Sequence, residues 1–138
     1  MRLAATILTG LLFAVFSQQP AEFTIPPEAA KRSNPMRSTP VSLAEGRRAY
    51  KTQCAMCHGA KGDGKGELAV TMQLQLRDWN DPAALKGFTD GELFFILDKG
   101  KGQMPAQEGR MKPAQEWHLI NFIRSLAKKT EAPEKPKR

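Results

Sequence analysis

The sequence predicts a small all-α domain of three or four short helices. Three observations lead there. Apolar residues recur at helical spacing in three segments, no stretch sustains a two-residue alternation, and glycine- or proline-bearing stretches separate the segments. The periodic region runs from Ser42 to Ala127, 86 residues without an internal repeat. A domain of that size buries only about 60–65% of its unfolded surface, and long glycine-rich loops reduce that further. Something beyond side-chain packing is expected to hold it together.

The elements follow in chain order. Residues 1–17, "MRLAATILTGLLFAVFS", carry Arg2 and then fourteen uncharged residues, Leu3 to Phe16. This pattern reads as a secretory signal peptide cleaved after Ser17, or as an uncleaved N-terminal anchor. It is short for a membrane span, which takes about 20 apolar residues. Both readings put the remainder outside the cytoplasm, in a periplasm or on the outer face of the cytoplasmic membrane. Residues 18–41 hold five prolines and little apolar periodicity, so they read as an extended linker and a possible membrane tether. Residues 128–138, charged and proline-bearing, read as a disordered basic tail.

Within 42–127, Ser42 and Glu45 have the spacing of a capping box, and Leu43, Gly46, Ala49 and Tyr50 share one helical face. A helix is expected from Leu43 to about Gln53, delivering Cys54 at its end. Gly59, Gly62, Gly64 and Gly66 then imply a flexible loop. It is not a phosphate-binding loop, because the G-x-G-x-x-G spacing fails at Glu67 and no strand precedes it. Asp63 and Glu67 are too few ligands for a calcium loop. A short helix is expected over Glu67–Leu76, then an irregular stretch. Thr89 and Glu92 form a second capping box, Leu93, Ile96 and Leu97 share a face, and Gly100 stops that helix. The last helix shows Leu119, Phe122, Ile123 and Leu126 at i, i+3, i+4 and i+7. Trp117 falls on the opposite face and is not expected to be buried with them. His118, on the flank, reads as a packing or surface residue.

The net charge of +7 invites a nucleic-acid reading, but its distribution argues against one. Residues 49–127 hold ten Lys/Arg against nine Asp/Glu, a balance of 10 − 9 = +1. The excess sits on the flanks, and no helix interleaves a basic stripe with aromatics.

The chemistry concentrates in "QCAMCHGAKG", which contains the only two cysteines and one of the two histidines. Four readings compete. Zinc would need four ligands, and Cys54, Cys57, His58 and His118 lack the spacing of a zinc site. A redox dithiol would expect a βαβ context. A disulfide between Cys54 and Cys57 would close a tiny loop and constrain little. A c-type haem site fits the spacing: two thiols on adjacent turns add across two vinyl groups, and the histidine after the second reaches the iron from one face. The export signal agrees with attachment outside the cytoplasm, and a covalent haem supplies the missing core mass. For the opposite face, Met104 in "KGKGQMPAQ" is the leading ligand, between Gly102 and Pro105 in a polar loop where a packing methionine is out of place. Met111 is the runner-up.

With "CAMCHG", "GQMPA" and the closing "EWHLINFIRSL", the chain resembles a class I c-type cytochrome over Ser42–Ala127. The resemblance implies a cytochrome c-like all-α fold around one covalently bound haem c. It implies thioethers from Cys54 and Cys57, proximal His58 and distal Met104. It also implies that the first and last helices cross where Gly46 and Tyr50 meet Leu119 and Phe122. Arg77 and Trp79 become candidate donors to the haem propionates. One departure is the lack of a proline-containing loop after the haem motif to orient His58. The expected function is electron transfer by an Fe(II)/Fe(III) couple, a carrier rather than an enzyme. Its partners would be redox proteins (an oxidoreductase, an oxidase or a respiratory complex), met by a monomeric folded domain with Lys101 and Lys112 biasing docking. A gas sensor or peroxidase-like domain with a displaceable Met104 is the alternative.

Overall fold

The computed structural model describes residues 23–130, with side chains described through Ala127. The export segment Leu3–Phe16 and residues 131–138 of the tail lie outside the described residues. Six helices occur among the described residues, with no strand: α1 Pro27–Ala30, α2 Pro40–Gln53, α3 Ala55–His58, α4 Glu67–Thr71, α5 Asp90–Lys99 and α6 Pro113–Thr130. None of them is long and apolar enough to cross a membrane.

The pair α2 and α6 forms the centre. Gly46 makes the crossing possible. A Cβ there would stand 2.7 Å from the Cβ of Phe122 and 2.7 Å from the carbonyl carbon of His118, well inside contact distance. Just beyond the crossing, the Tyr50 and Phe122 rings sit 5.2 Å apart. Tyr50, Leu119 and Ile120 are fully buried. Gly46 and Tyr50 against Phe122 are the contacts expected at this crossing.

Helix α2 starts earlier than its sequence signal suggested. Thr39, not Ser42, caps it: the Thr39 side chain accepts from Ser42 N at 3.2 Å, and Pro40 takes the first helical turn. Proline's fixed φ and missing donor suit that position, so the helix gains an extra turn. Ser42 is thereby moved inside and buried. Its Oγ lies 2.8 Å from His118 Nδ1 and accepts from Asn121 Nδ2 at 2.9 Å, while Glu45 pairs with exposed Arg48. His118 is a packing residue. The Thr89–Glu92 box of α5 forms with both of its hydrogen bonds, and Gly100, at φ 73°, ends the helix. Helix α4 stops at Thr71, shorter than expected. Helix α6 runs to Thr130, into the stretch read as tail.

Two expectations are corrected on one side of the molecule. The reading of 18–41 as an extended tether does not describe residues 23–39. Helix α1 packs on α5, with Ala29 buried. The close approach depends on Gly91, because a Cβ there would meet the carbonyl oxygens of Ala29 and Arg32. Asn34 Nδ2 donates to Asn121 Oδ1 at 3.0 Å and to the Trp117 carbonyl at 3.3 Å, and Asn121 Nδ2 donates to the Met36 carbonyl at 2.9 Å. The segment is a strap, pinned by polar groups that hydrophobic periodicity does not register. Trp117 is the second correction: it is only 5% exposed. Its ring stacks on Phe94 at 4.3 Å, and the Arg32 guanidinium lies over both rings. The strap and α5 cover the face of α6 that α2 leaves open.

Candidate haem site

Cys54 closes α2 and opens α3. Its backbone N–H donates to Tyr50 O at 2.9 Å, and its carbonyl accepts from Cys57 N at 3.1 Å and His58 N at 2.8 Å. Cys54, Cys57 and His58 therefore share one tight turn, and both thiols are free. Gly59 leaves the turn at φ 78°. The Tyr50 hydroxyl donates to the Gly59 carbonyl at 2.5 Å, tying the turn to α2.

The glycine-rich stretch after His58 is a packed loop rather than a loose one. Gly64 N donates to His58 O at 2.9 Å and Gly66 N to Cys57 O at 3.0 Å, so the loop folds back over α3. A Cβ on Gly66 would meet the carbonyls of Met56 and Cys57, which makes glycine necessary for that approach. Trp79 N donates to Gly62 O at 2.7 Å. Its indole stacks on the His58 imidazole at 4.2 Å and 16°. Arg77 engages the turn at 84–88. Its Nη1 donates to Ala84 O at 2.8 Å, and its guanidinium lies 5.0 Å from the Phe88 ring.

Met104 lies in a hydrogen-bonded loop. Lys101 N donates to Met104 O at 3.1 Å and Met104 N to Lys101 O at 3.0 Å, closing a turn through Gly102, at φ 59°. A Cβ on Gly100 would stand 2.5 Å from Met104 O, so this glycine serves the loop's own closure. Gln107 N and Glu108 N then donate to the Leu97 and Asp98 carbonyls at 2.9 and 3.1 Å, satisfying orphan acceptors at the end of α5. Met104 is half-buried at the edge of the cluster that contains Cys54, as is Trp79, whereas Met111 is buried within that cluster.

The electrostatics discriminate among the sequence readings. Burial, and then the neighbouring Cys57, push the Cys54 thiol up to about 12. Redox dithiols work through a lowered thiol pKa, so Cys54 is a poor exchange nucleophile. Among the described residues no group of three or more His, Cys, Asp or Glu is arranged to hold a metal ion, and His118 is engaged with Ser42, which leaves zinc without its ligands. Burial lowers the His58 pKa and keeps the imidazole neutral, the form that ligates metals. Its Nδ1 is buried without a hydrogen-bond partner among the described residues. Two free thiols on one turn, a neutral imidazole beside them and a thioether in a pinned loop suit haem c.

Sequence reasoning missed the roles of two residues that shape this site. Tyr50 was read only as a helix-crossing residue, although its position one turn before Cys54 places it to reach Gly59. Arg124 donates from Nε to Asp90 Oδ1 at 2.9 Å, from Nη1 to Leu85 O at 3.0 Å and from Nη2 to Phe88 O, fixing the turn that Arg77 also touches. Nothing local in the sequence marks that role.

Comparison with known proteins agrees with this geometry. The family model described as "Cytochrome C oxidase, cbb3-type, subunit III" matches residues 41–123. A chain of the Kuenenia stuttgartiensis reducing HAO-like protein complex is similar in fold, with TM-score 0.59 and 22% identity. The similarity covers 67% of this chain and 46% of that one, so this chain matches about half of its neighbour's length. A c-type domain of this kind carries covalently bound haem c and serves haem-based electron transfer. With its Cys54–His58 turn and its family match over 41–123, this chain belongs to the class I c-type cytochromes.

Proposed function

We propose that the domain is an extracytoplasmic carrier of single electrons with one haem, and not an enzyme in its own right. In this reading Cys54 and Cys57 form the two thioethers, His58 is the proximal ligand and Met104 the distal one. The observation that carries it is the single turn holding two free thiols and an imidazole whose buried Nδ1 has no hydrogen-bond partner. When bound, haem c supplies the Fe(II)/Fe(III) couple. The residues do the rest. Ligation by His58 and Met104 would raise the potential relative to two histidines. Trp79 keeps the His58 ring in one plane. Its indole N–H and the Arg77 donors left over from Ala84 are assigned to the propionates. Met104 is preferred to Met111 because it stands at the edge of the core while Met111 is packed inside it.

The partners are redox proteins, met by a monomeric domain over an exposed haem edge. Exposed Lys101 and Lys112 favour an acidic partner. Export through residues 1–17 and tethering through the N-terminus belong to the same reading. Mass spectrometry of denatured protein, expressed with haem-maturation machinery, tests it first: one covalent haem mass is expected, and none refutes it. The ferric protein should show the weak long-wavelength band that requires an iron–sulfur bond. Met104→Ala should abolish the band and Met111→Ala should keep it; the reverse result refutes the distal assignment.

A further inference from the structure

Three buried side-chain atoms have no hydrogen-bond partner among the described residues: His58 Nδ1, Gln107 Oε1 and Glu116 Oε2. The first belongs to the haem site. The other two share an unusual property, because both are acceptors. An amide oxygen accepts only, and so does an ionised carboxylate. Gln107 is 3% exposed and Glu116 is 1% exposed, so bulk water does not serve either. A buried acceptor left unmatched bears the full cost of its lost hydration. One proton on Glu116 removes both deficits, since a carboxylic acid O–H is a donor.

Both residues lie beside the C-terminal end of α5: Gln107 N bonds Leu97 O, and the Glu116 carboxyl feels Asp98 and Lys99. Glu116 stands in the first turn of α6. Its carboxyl feels the charges of Asp98 and Lys99 from α5, Glu108 from the Met104 loop and Arg32 from the strap. Asp98 and Glu108 are bonded to each other through the backbone, next to the bond between Gln107 N and Leu97 O. The two cations are already engaged. Lys99 pairs with Asp98 at 3.1 Å and Glu108 at 2.8 Å, and Arg32 covers the Phe94 and Trp117 rings. Burial first, then Asp98, push the Glu116 carboxyl up to about 7.

Gln107 is also the knot of the Met104 loop. Its N–H holds Leu97 O at 2.9 Å, and its Nε2 donates to Pro105 O at 3.3 Å. Its carbonyl accepts from Arg110 N at 2.9 Å and Met111 N at 3.0 Å. Whatever fixes the Gln107 side chain fixes the residue next to Met104.

We propose that Glu116 is held protonated and donates its proton to Gln107 Oε1, directly or through one buried water, so that the pair positions the Met104 loop and releases it when Glu116 ionises. The positioning half rests on Met104 as the distal ligand; the shared proton does not. Gln107 and Glu116 are positioning residues, and neither is assigned to the iron.

The test uses the full-length holoprotein in two arms. Infrared titration of wild type against Glu116→Gln reads the proton. A protonated-carboxyl band absent from the variant should vanish as pH rises, with a midpoint near the value of about 7. Its absence at acidic pH would overturn the proposal. The second arm follows the ferric iron–sulfur band. It should weaken over the same pH range in wild type and stay constant in Glu116→Gln, whose amide N–H donates at every pH. A band equally insensitive in both proteins, beside a titrating carboxyl, refutes the positioning half. If Met111→Ala rather than Met104→Ala removes the band, the ligand assignment has failed and the infrared arm still decides the proton. Should Glu116→Gln not fold, Gln107→Met replaces it. Losing the acceptor should shift the carboxyl band to the frequency of an unbonded acid, and an unshifted band counts against the pair.

Discussion

Gly46→Ala sets two effects of opposite sign against each other. Replacing glycine inside a helix favours the helix by about 1 kcal/mol through backbone entropy. The added Cβ, however, would stand 2.7 Å from Phe122 Cβ and 2.7 Å from the carbonyl carbon of His118. Carbon atoms pack at about 3.5–4.0 Å, so α2 and α6 must part by about 1 Å. The obstacle includes the backbone of α6, which cannot rotate away as a side-chain tip would. The helices also share Tyr50, Leu119 and Phe122, buried on both sides of the contact. Overpacking of this kind costs about 1–3 kcal/mol, and a backbone obstacle argues for the upper end. After the helical gain, a net loss of about 2 kcal/mol remains. For a domain of this size that lowers Tm by about 8–16 °C. Thermal unfolding of the holoprotein, followed by far-ultraviolet circular dichroism, measures it. Gly87→Ala is the control, since a Cβ there meets nothing within 4 Å, and it should shift stability by no more than about 0.5 kcal/mol. A Gly46→Ala protein as stable as wild type, or more so, would show that propensity wins and that the helix crossing is looser than described.

Three further perturbations test separate features. Tyr50→Phe removes the 2.5 Å bond to Gly59 O while Gly62 N still serves that carbonyl, so a loss of about 1 kcal/mol is expected in denaturant titration. Arg124→Leu strips the Phe88 carbonyl of its donor, leaves Leu85 O with the Phe88 N–H alone and removes the Asp90 pairing, so it should cost about 2 kcal/mol, with Arg124→Lys recovering less than half because an ammonium does not reproduce the three-way fork. Glu116 gives the pH dependence its sign. Its folded pKa, about 7, lies above the ordinary 4.5, so between those values the folded state binds the extra proton and stability falls as pH rises. The contribution is complete below about 4.5, is lost by about 7 and amounts to about 3 kcal/mol; the difference between wild type and Glu116→Gln at pH 5 and pH 8 isolates it. A difference independent of pH would refute the buried, protonated state.

What could be read from the sequence was local. The Thr89–Glu92 box and the Gly100 stop each depend on neighbours within a few residues, and both stand in the fold as expected. The Ser42–Glu45 box was equally local, yet it lost to Thr39 and Pro40, a rival cap one turn earlier. Spacing alone does not rank competing caps. Tyr50 against Phe122 was reachable through the family resemblance, because it is a contact between two recognised segments. The shared neighbourhood of Gln107 and Glu116 was not, since it depends on how the Met104 loop closes on α5.

The strap was missed for a different reason, and α6 held the clue. Leu119, Phe122, Ile123 and Leu126 make a stripe that one partner helix covers. Trp117 and Ile120 lie off that stripe, and both are buried, Ile120 completely. A helix apolar on more than one face needs a cover on each. Helix α2 supplies one. Helix α5 is ten residues long and leaves Trp117 only partly covered by Phe94, so a further segment was required. Residues 23–39 supply it with a cation over the rings, two asparagine contacts and a short helix seated on Gly91. Their prolines suppress helical periodicity without preventing docking, so a composition that resembles a free tether also suits a segment laid flat against a helix. Polar anchors such as Arg32 and Asn34 carry no periodic signal. The sign that the chain before α2 had work to do lay in the excess apolar residues of α6, not in the strap itself.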